Sequence, residues 1–383
     1  MRSTITAEEA IAEAEAPPAA RRLSVRFPSL TRGRVITGGV LLGLGLIPVG
    51  VDAARNTTFW EYIGAYIAVW AMLELSVVVV TGYGGLISLM PFSFVGIGCF
   101  ATGLAVSVWG WPFWLAVPFA ALATVPISVA VGAASVRLKG LYLAIATLTF
   151  ASALGETLFK WEAFTGGQAG HTIDRPKLGP VDFSGGFAFY ALTMAVALVL
   201  VWMVHGLKSS RAGRAMLAVR DNEREAQALG INSTKTKLTA LVIGGALAGV
   251  GGAFYLALLG SPAPAGFQSP YVDVSSVLLV VWAVIGGIEA ASGAFLGAFA
   301  LIVQQQVFQG AEKLFVFIGV YAALVLVVFL IFRPGGFVQV VKIQSERIRV
   351  NPARGIPETA GLVLFNVIVI WLIIHFGTVA TKT

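Results

Sequence analysis

Two kinds of residue in this chain are of a type and spacing that could do chemistry inside an apolar environment. Glu74 lies within the apolar run 62–80 with no basic residue close by in sequence. A carboxyl so placed could meet a polar solute, a cation or a proton, and intramembrane acids are costly enough to carry a functional reading by default. The hydroxyls of Ser88, Thr147 and Thr149 sit in or beside glycine-rich and apolar segments. Each could hydrogen-bond a polar solute or satisfy backbone instead, with Thr147 and Thr149 reaching the carbonyl one turn back. Glu156 has Lys160 four residues after it, the order that favours an i, i+4 pair, and is read as a structural pair near the outer membrane boundary.

Covalent chemistry has no such support. The sequence holds no Gly-x-x-x-x-Gly-Lys-Ser/Thr phosphate loop, no Gly-x-Ser-x-Gly elbow and no His-Glu-x-x-His. His171, His205 and His375 are far apart, and Cys99 is the sole cysteine, so neither a disulfide within the chain nor a cysteine metal site is available. The expectation is a chain with no catalytic residue, no metal and no cofactor of its own. Any energy source must act on it from outside.

The elements that position these residues are membrane spans. The chain is 57% hydrophobic and 12% charged, with 44 glycines and a mean hydropathy of +0.85. A soluble core cannot hide that much apolar surface, whereas membrane helices tolerate glycine as a packing residue. The net charge of +7 is a matter of loops, since no stripe of basic and aromatic residues suits a nucleic-acid strand. Apolar runs of roughly the 20 residues needed to cross a bilayer recur near 35–51, 62–80, 85–107, 112–133, 141–160, 187–206, 238–259, 273–287, 294–310 and 315–332. The eighth and ninth are short and flank Gly286, Gly287 and Gly293, which fits two tilted helices or one broken crossing. A further run, 360–376, either spans or lies along the interface.

The expected fold is therefore an all-α polytopic bundle of about ten transmembrane helices, eleven if 360–376 spans. Residues 1–34 read as a cytoplasmic tail, 35–337 as the transmembrane domain, and 338–383 as a basic linker with an extra apolar helix. With the tail inside, all but Arg55, Lys160, Arg175, Lys177, Lys313 and, if 360–376 spans, Lys382 of the 26 Lys and Arg fall on the cytoplasmic side. That is the bias the positive-inside rule demands, and it requires two crossings between 273 and 310. Gly245 with Gly249, and Gly293 with Gly297, have the spacing that lets helix backbones approach closely.

The polar run 207–237 is the only long internal charged segment. Ser210 opens a short helix to about Val219. Asn222 then caps a second, Glu225 reaches back to the cap, and Gly230 closes the end. Glu223 and Glu225 suit the positive end of the helix dipole. A two-turn helix needs a surface to dock on, and Ala226 and Leu229, at i and i+3, give it a small apolar face. A solvated basic loop between spans fits the same composition.

Gly213 to Ile231, GRAMLAVRDNEREAQALGI, closely resembles the cytoplasmic coupling loop of membrane subunits of branched-chain amino-acid ABC importers. Arg214, Arg220, Glu225, Ala226 and Gly230 match by position. The resemblance continues in Gly82, Tyr83, Gly85, Ser88 and Leu89, in GLYLAIATLT from Gly140, and in TGGQAGHTIDRP from Thr165. It runs on through Ser269-Pro270-Tyr271, Gly286-Gly287-Ile288, Gly293 to Ala298 and the closing Phe332-Arg333-Pro334-Gly335-Gly336-Phe337, and so covers about 60–337. Met90-Pro91, Glu289 and Ala294 depart from it. Gly84-Gly85 and Pro91 would break or bend a span, which is tolerated at membrane depth only against a cavity or other protein.

The resemblance implies an importer permease fold in which a coupling helix docks on an ATP-hydrolysing subunit, using Arg214, Arg220, Glu225, Ala226, Leu229 and Gly230. Glu74, Ser88, Thr147 and Thr149 become candidates for the solute pathway. Implied partners are a second related permease subunit, two ATP-binding cassette subunits that hold ATP and Mg, and an external solute-binding protein that the loop 161–186 could seat. The implied location is a bacterial inner membrane with the N-terminus in the cytoplasm. Branched-chain amino acids are the implied solute, with urea, amides or small carboxylates as neighbours; an ion-gradient-coupled transporter using Glu74 as a proton site is the alternative.

Overall fold

The computed structural model describes residues 59–309 apart from 136, 137, 139, 179 and 180. The expectations for the tail 1–34, the spans 35–51 and 315–332, the motif from Phe332, the segment 338–383 with its run 360–376, and the basic pair Arg137 and Lys139 lie outside the described residues.

In chain order the helices are α1 (Phe59–Val77), α2 (Pro91–Gly103), α3 (Phe113–Ser135), α4 (Leu141–Glu156), a single turn α5 (Glu162–Thr165), α6 (Gly186–Ser209), α7 (Arg211–Asp221), α8 (Glu223–Ala228), α9 (Ser233–Leu259), α10 (Tyr271–Gly286) and α11 (Gly293–Gln309). α1 and α2 each run on as a wider π-helix, to Tyr83 and Val108. Six of the described helices are long and apolar enough to cross a membrane, and α10 and α11 are shorter. The described architecture is thus all-helical, apart from a two-residue antiparallel pair, Lys177–Leu178 (β1) with Val181–Asp182 (β2). Lipid offers no partner for backbone N–H and C=O groups, so long apolar segments close their hydrogen bonds within themselves as helices.

α9 runs through the middle, packed against α1, α2 and α3. Its glycines explain how. A methyl built at Gly249 would stand 2.7 Å from the Ala120 carbonyl oxygen of α3, and one at Gly252 would overlap the Val95 carbonyl of α2. The Gly98 backbone of α2 lies directly on Gly249. The close approach expected from Gly245 and Gly249 is present, because a side chain at these positions would push whole helices apart. An aromatic cluster of Trp70, Phe92, Phe100, Phe159, Tyr255 and Phe267 fills the same core.

The two short helices settle into a hairpin. Gly286 lies on Gly293 and Gly297, so α10 and α11 pack tightly around the turn 287–292. Just before α10, Gln268 donates to the Phe159 carbonyl at the end of the bundle that carries the loop 161–186. Just after it, Lys208 donates to the Glu289 carbonyl at the end that carries 207–237. α10 therefore runs from one end of the bundle to the other, and α11 starts back from the second end. The Gly286-Gly287 break separates two helices.

Candidate coupling and pathway site

The site is built around an interruption. After the π-helical end of α1 the chain runs without helix from Gly84 to Met90 and enters α2 at Pro91. Gly85, with φ of 67°, takes a backbone conformation that glycine accepts readily. Much of the segment is buried, so its backbone groups need partners away from water. Some are local, with Leu86 N donating to the Val80 carbonyl and Thr81 Oγ1 donating to the Leu86 carbonyl. Others are lent by distant helices. The Leu89 N–H donates to Thr147 Oγ1 of α4 at 2.9 Å, and the Phe92 N–H to Ser276 Oγ of α10 at 3.3 Å.

Thr147 also donates to the Ala144 carbonyl at 2.9 Å, so its hydroxyl bonds its own helix and caps the break at once. Thr149 is exposed and donates to the Ile145 carbonyl one turn back. Ser88 is buried within the interruption itself.

Glu74 is fully buried on α1. Neither carboxyl oxygen has a hydrogen-bond partner among the described residues. One oxygen lies against the Cα of Gly297 on α11, where a methyl would overlap it and would stand 2.5 Å from the Trp282 carbonyl of α10. Any larger residue at 297 would displace the carboxyl or part the helices. A buried acid left unpartnered costs several kcal/mol if charged.

At the 207–237 end, α7 and α8 stand where the sequence places them. Ser210 caps α7 by accepting from the Gly213 N–H at 3.1 Å. Asn222 caps α8 by accepting from Arg224 and Glu225, and donates its side-chain amide to Glu225 Oε1 at 2.6 Å. Gly230 turns the chain at φ 81°. The inward face of α7 is Gly213, Met216 and Val219. Arg220 donates to the Gly82 carbonyl at the end of α1 and lies 3.6 Å from the Glu289 carboxylate. Arg214 donates to the Ser209 carbonyl.

Ala226 is buried, whereas Leu229 is 80% exposed, so the two do not form one outward apolar face. Helix α8 stops at Ala228 with Leu229 as its C-cap, whose N–H still donates to the Glu225 carbonyl. Lys237 of α9 holds Glu223 at 2.7 Å with both side chains largely covered, and Gln227 donates to Ser233 at 2.8 Å, so α8 is braced from within the chain.

At the opposite end, Glu156 and Lys160 form their expected pair, both half exposed. His171 reaches from the loop 161–186 to Ser107 Oγ at 2.9 Å and the Phe164 carbonyl at 3.1 Å, anchoring the loop to the end of α2. The Ser184 N–H holds the exposed Asp182 carboxyl below the usual carboxylate range. Sequence reasoning passed over Lys208, Ser276, Lys237 and Asp273, the last of which accepts from both Ser152 and Ser269. Their partners are mostly distant in sequence; only the acid in the first turn of α10 left a local signal.

Comparison with known proteins gives the arrangement its relatives. The family described as branched-chain amino acid transport system / permease component matches residues 60–334. The high-affinity branched-chain amino acid transport system permease protein LivM of Salmonella typhimurium is 28% identical over 324 residues, 77% of this chain and 71% of that one. LivM of Escherichia coli strain K12 is 27% identical over 306 residues, 73% of this chain and 69% of that one. A probable branched-chain amino acid transport permease protein, LivH of Methanocaldococcus jannaschii, is 28% identical over 116 residues, 29% of this chain and 34% of that one. No solved structure matches. With most of the bundle, the interruption and the polar loop all inside the matched region, the chain belongs to the branched-chain amino acid transport permease family.

Proposed function

We propose that the chain is the inner-membrane permease subunit of an ATP-driven importer and forms a pathway for branched-chain amino acids. The observation that carries this is the capped helix α8 at the 207–237 end. It is too short to stand alone, is braced on α9, and presents Leu229 outward, which is the form of a docking element rather than a loose loop. ATP and Mg belong to two cassette subunits docked there, so the permease itself performs no hydrolysis. A second related permease completes the membrane unit, and an external solute-binding protein meets the 161–186 side. The N-terminal tail 1–34 lies in the cytoplasm, 35–337 forms the transmembrane domain of about ten helices, and 338–383 follows as a basic linker and extra apolar helix.

In this reading Arg214, Arg220, Glu225, Ala226, Leu229 and Gly230 make up the coupling element, while Glu74, Ser88, Thr147 and Thr149 belong to the pathway side. Thr147 supports the pathway by shaping the interruption, and Glu74 supplies an acid within the bundle. ATP binding favours one of two arrangements of the bundle through contacts that differ between them. The test is expression of the chain with its neighbouring subunits. An ATPase should co-purify through 207–237, and uptake of leucine, isoleucine or valine should survive collapse of the proton gradient while ATP remains. Uptake that follows the proton gradient instead, with no ATPase bound, overturns the reading.

A further inference from the structure

Four segments meet at one point of the 207–237 end. They are the end of α6 at Lys208, the end of α7 at Arg220, the π-helical end of α1 at Gly82 and Tyr83, and the turn 287–292 between α10 and α11. Glu289 is the only charged residue of that turn, and both cations reach it. Arg220 lies 3.6 Å from its carboxylate, and Lys208 donates to its carbonyl oxygen at 2.8 Å. The same two cations hold α1. Arg220 donates to the Gly82 carbonyl, and Lys208 lies 5.6 Å from the centre of the Tyr83 ring. The fit is close, since a methyl at Gly85 would stand 2.8 Å from Arg220 Cγ, and one at Gly82 would overlap the Ile288 carbonyl.

We propose that Arg220, Lys208 and Glu289 form a latch that passes displacement of α7 and α8 to the α10–α11 turn, and through it to the contact between Glu74 and Gly297. This rests on the importer reading above and assigns the route of transmission within it. Arg220 thereby acts as a positioning residue, with its guanidinium turned toward the bundle. The geometry fits that task, because Gly297 is only a few residues from the latched turn and lies on the Glu74 carboxyl. Moving the turn moves Gly297, and with it a wall of Glu74 that has no side chain of its own.

Energetics separate this role from a structural one. Arg220 is 31% exposed and Glu289 67% exposed. Solvent screens a pair of this kind, so it adds little to stability and breaking it leaves the fold in place. Transmission is a difference in contact between two states and is sensitive to its loss.

The test uses the complete importer, reconstituted with its ATPase and solute-binding partners, and measures leucine moved per ATP hydrolysed. Glu289→Arg should lower that ratio on the order of five-fold, the lower end of usual coupling between sites. Glu289→Gln should lower it less, and Glu289→Asp should keep it near the unaltered value. The ATPase should co-purify with every variant. If Glu289→Arg transports at the unaltered ratio, or fails to assemble in the membrane, the latch is overturned and the importer reading stands. If no ATPase co-purifies even with the unaltered chain, the importer reading itself fails.

Discussion

The Glu74 carboxyl, which has no hydrogen-bond partner among the described residues, sets the behaviour expected there. Glu74→Gln keeps the shape beside Gly297 while removing the capacity to ionise, so the bundle should assemble normally and uptake of leucine should change in rate or apparent affinity. Uptake kinetics equal to the unaltered protein would make this glutamate a packing residue. Thr147→Val is nearly isosteric and strips the partner from the Leu89 N–H. An orphaned buried donor costs about 1–3 kcal/mol; the Leu89 N–H is part-buried, so thermal unfolding in detergent should show a loss toward the low end of that range. Glu74 was legible from sequence because a lone acid in an apolar run is conspicuous. Thr147 was legible only as a hydroxyl with two uses, of which the structure adds a third, and Ser276 was not legible at all. Its partner, Phe92, is 184 residues away, and no local pattern reports such a pairing.

Helices in this chain divide into those that announce themselves and those that depend on neighbours. The long spans from 62 to 259 follow from apolar length, and α7 and α8 follow from Ser210, Asn222 and Gly230, whose side chains or φ angles mark helix ends. The interruption at 84–90 was foreshadowed by Gly84, Gly85 and Pro91. Its stabilisation was not, since Thr147 and Ser276 come from other helices. The outward turn of Leu229 escaped the i, i+3 reading because that spacing does not say which residue of a short helix its own chain covers, and here it covers Ala226. That turn carries the prediction at this scale. Leu229→Asp on so exposed a position should change stability by about 0.5 kcal/mol or less. It should leave insertion intact and abolish co-purification of the ATPase, as a pull-down from solubilised membranes would show. Retention of the ATPase would remove Leu229 from the docking surface.

The described bundle has two unlike ends, one carrying 161–186 with its hairpin and His171 anchor, the other carrying 207–237 with the latch. The sidedness read from Lys and Arg makes a direct test possible, because Cys99 is fully buried and is the only native cysteine. In intact cells a membrane-impermeant thiol reagent should label Asp174→Cys, and it should label Asp221→Cys only after permeabilisation. The opposite pattern would invert the topology. Glycine against backbone along α9 then has a mechanical outcome. Where main chain rests on main chain, there is no rotamer to yield, so α2, α3 and α9 are wedged together as one packed block. Helical geometry gives way instead at two places, the strap at 84–90 and the elbow at 287–292.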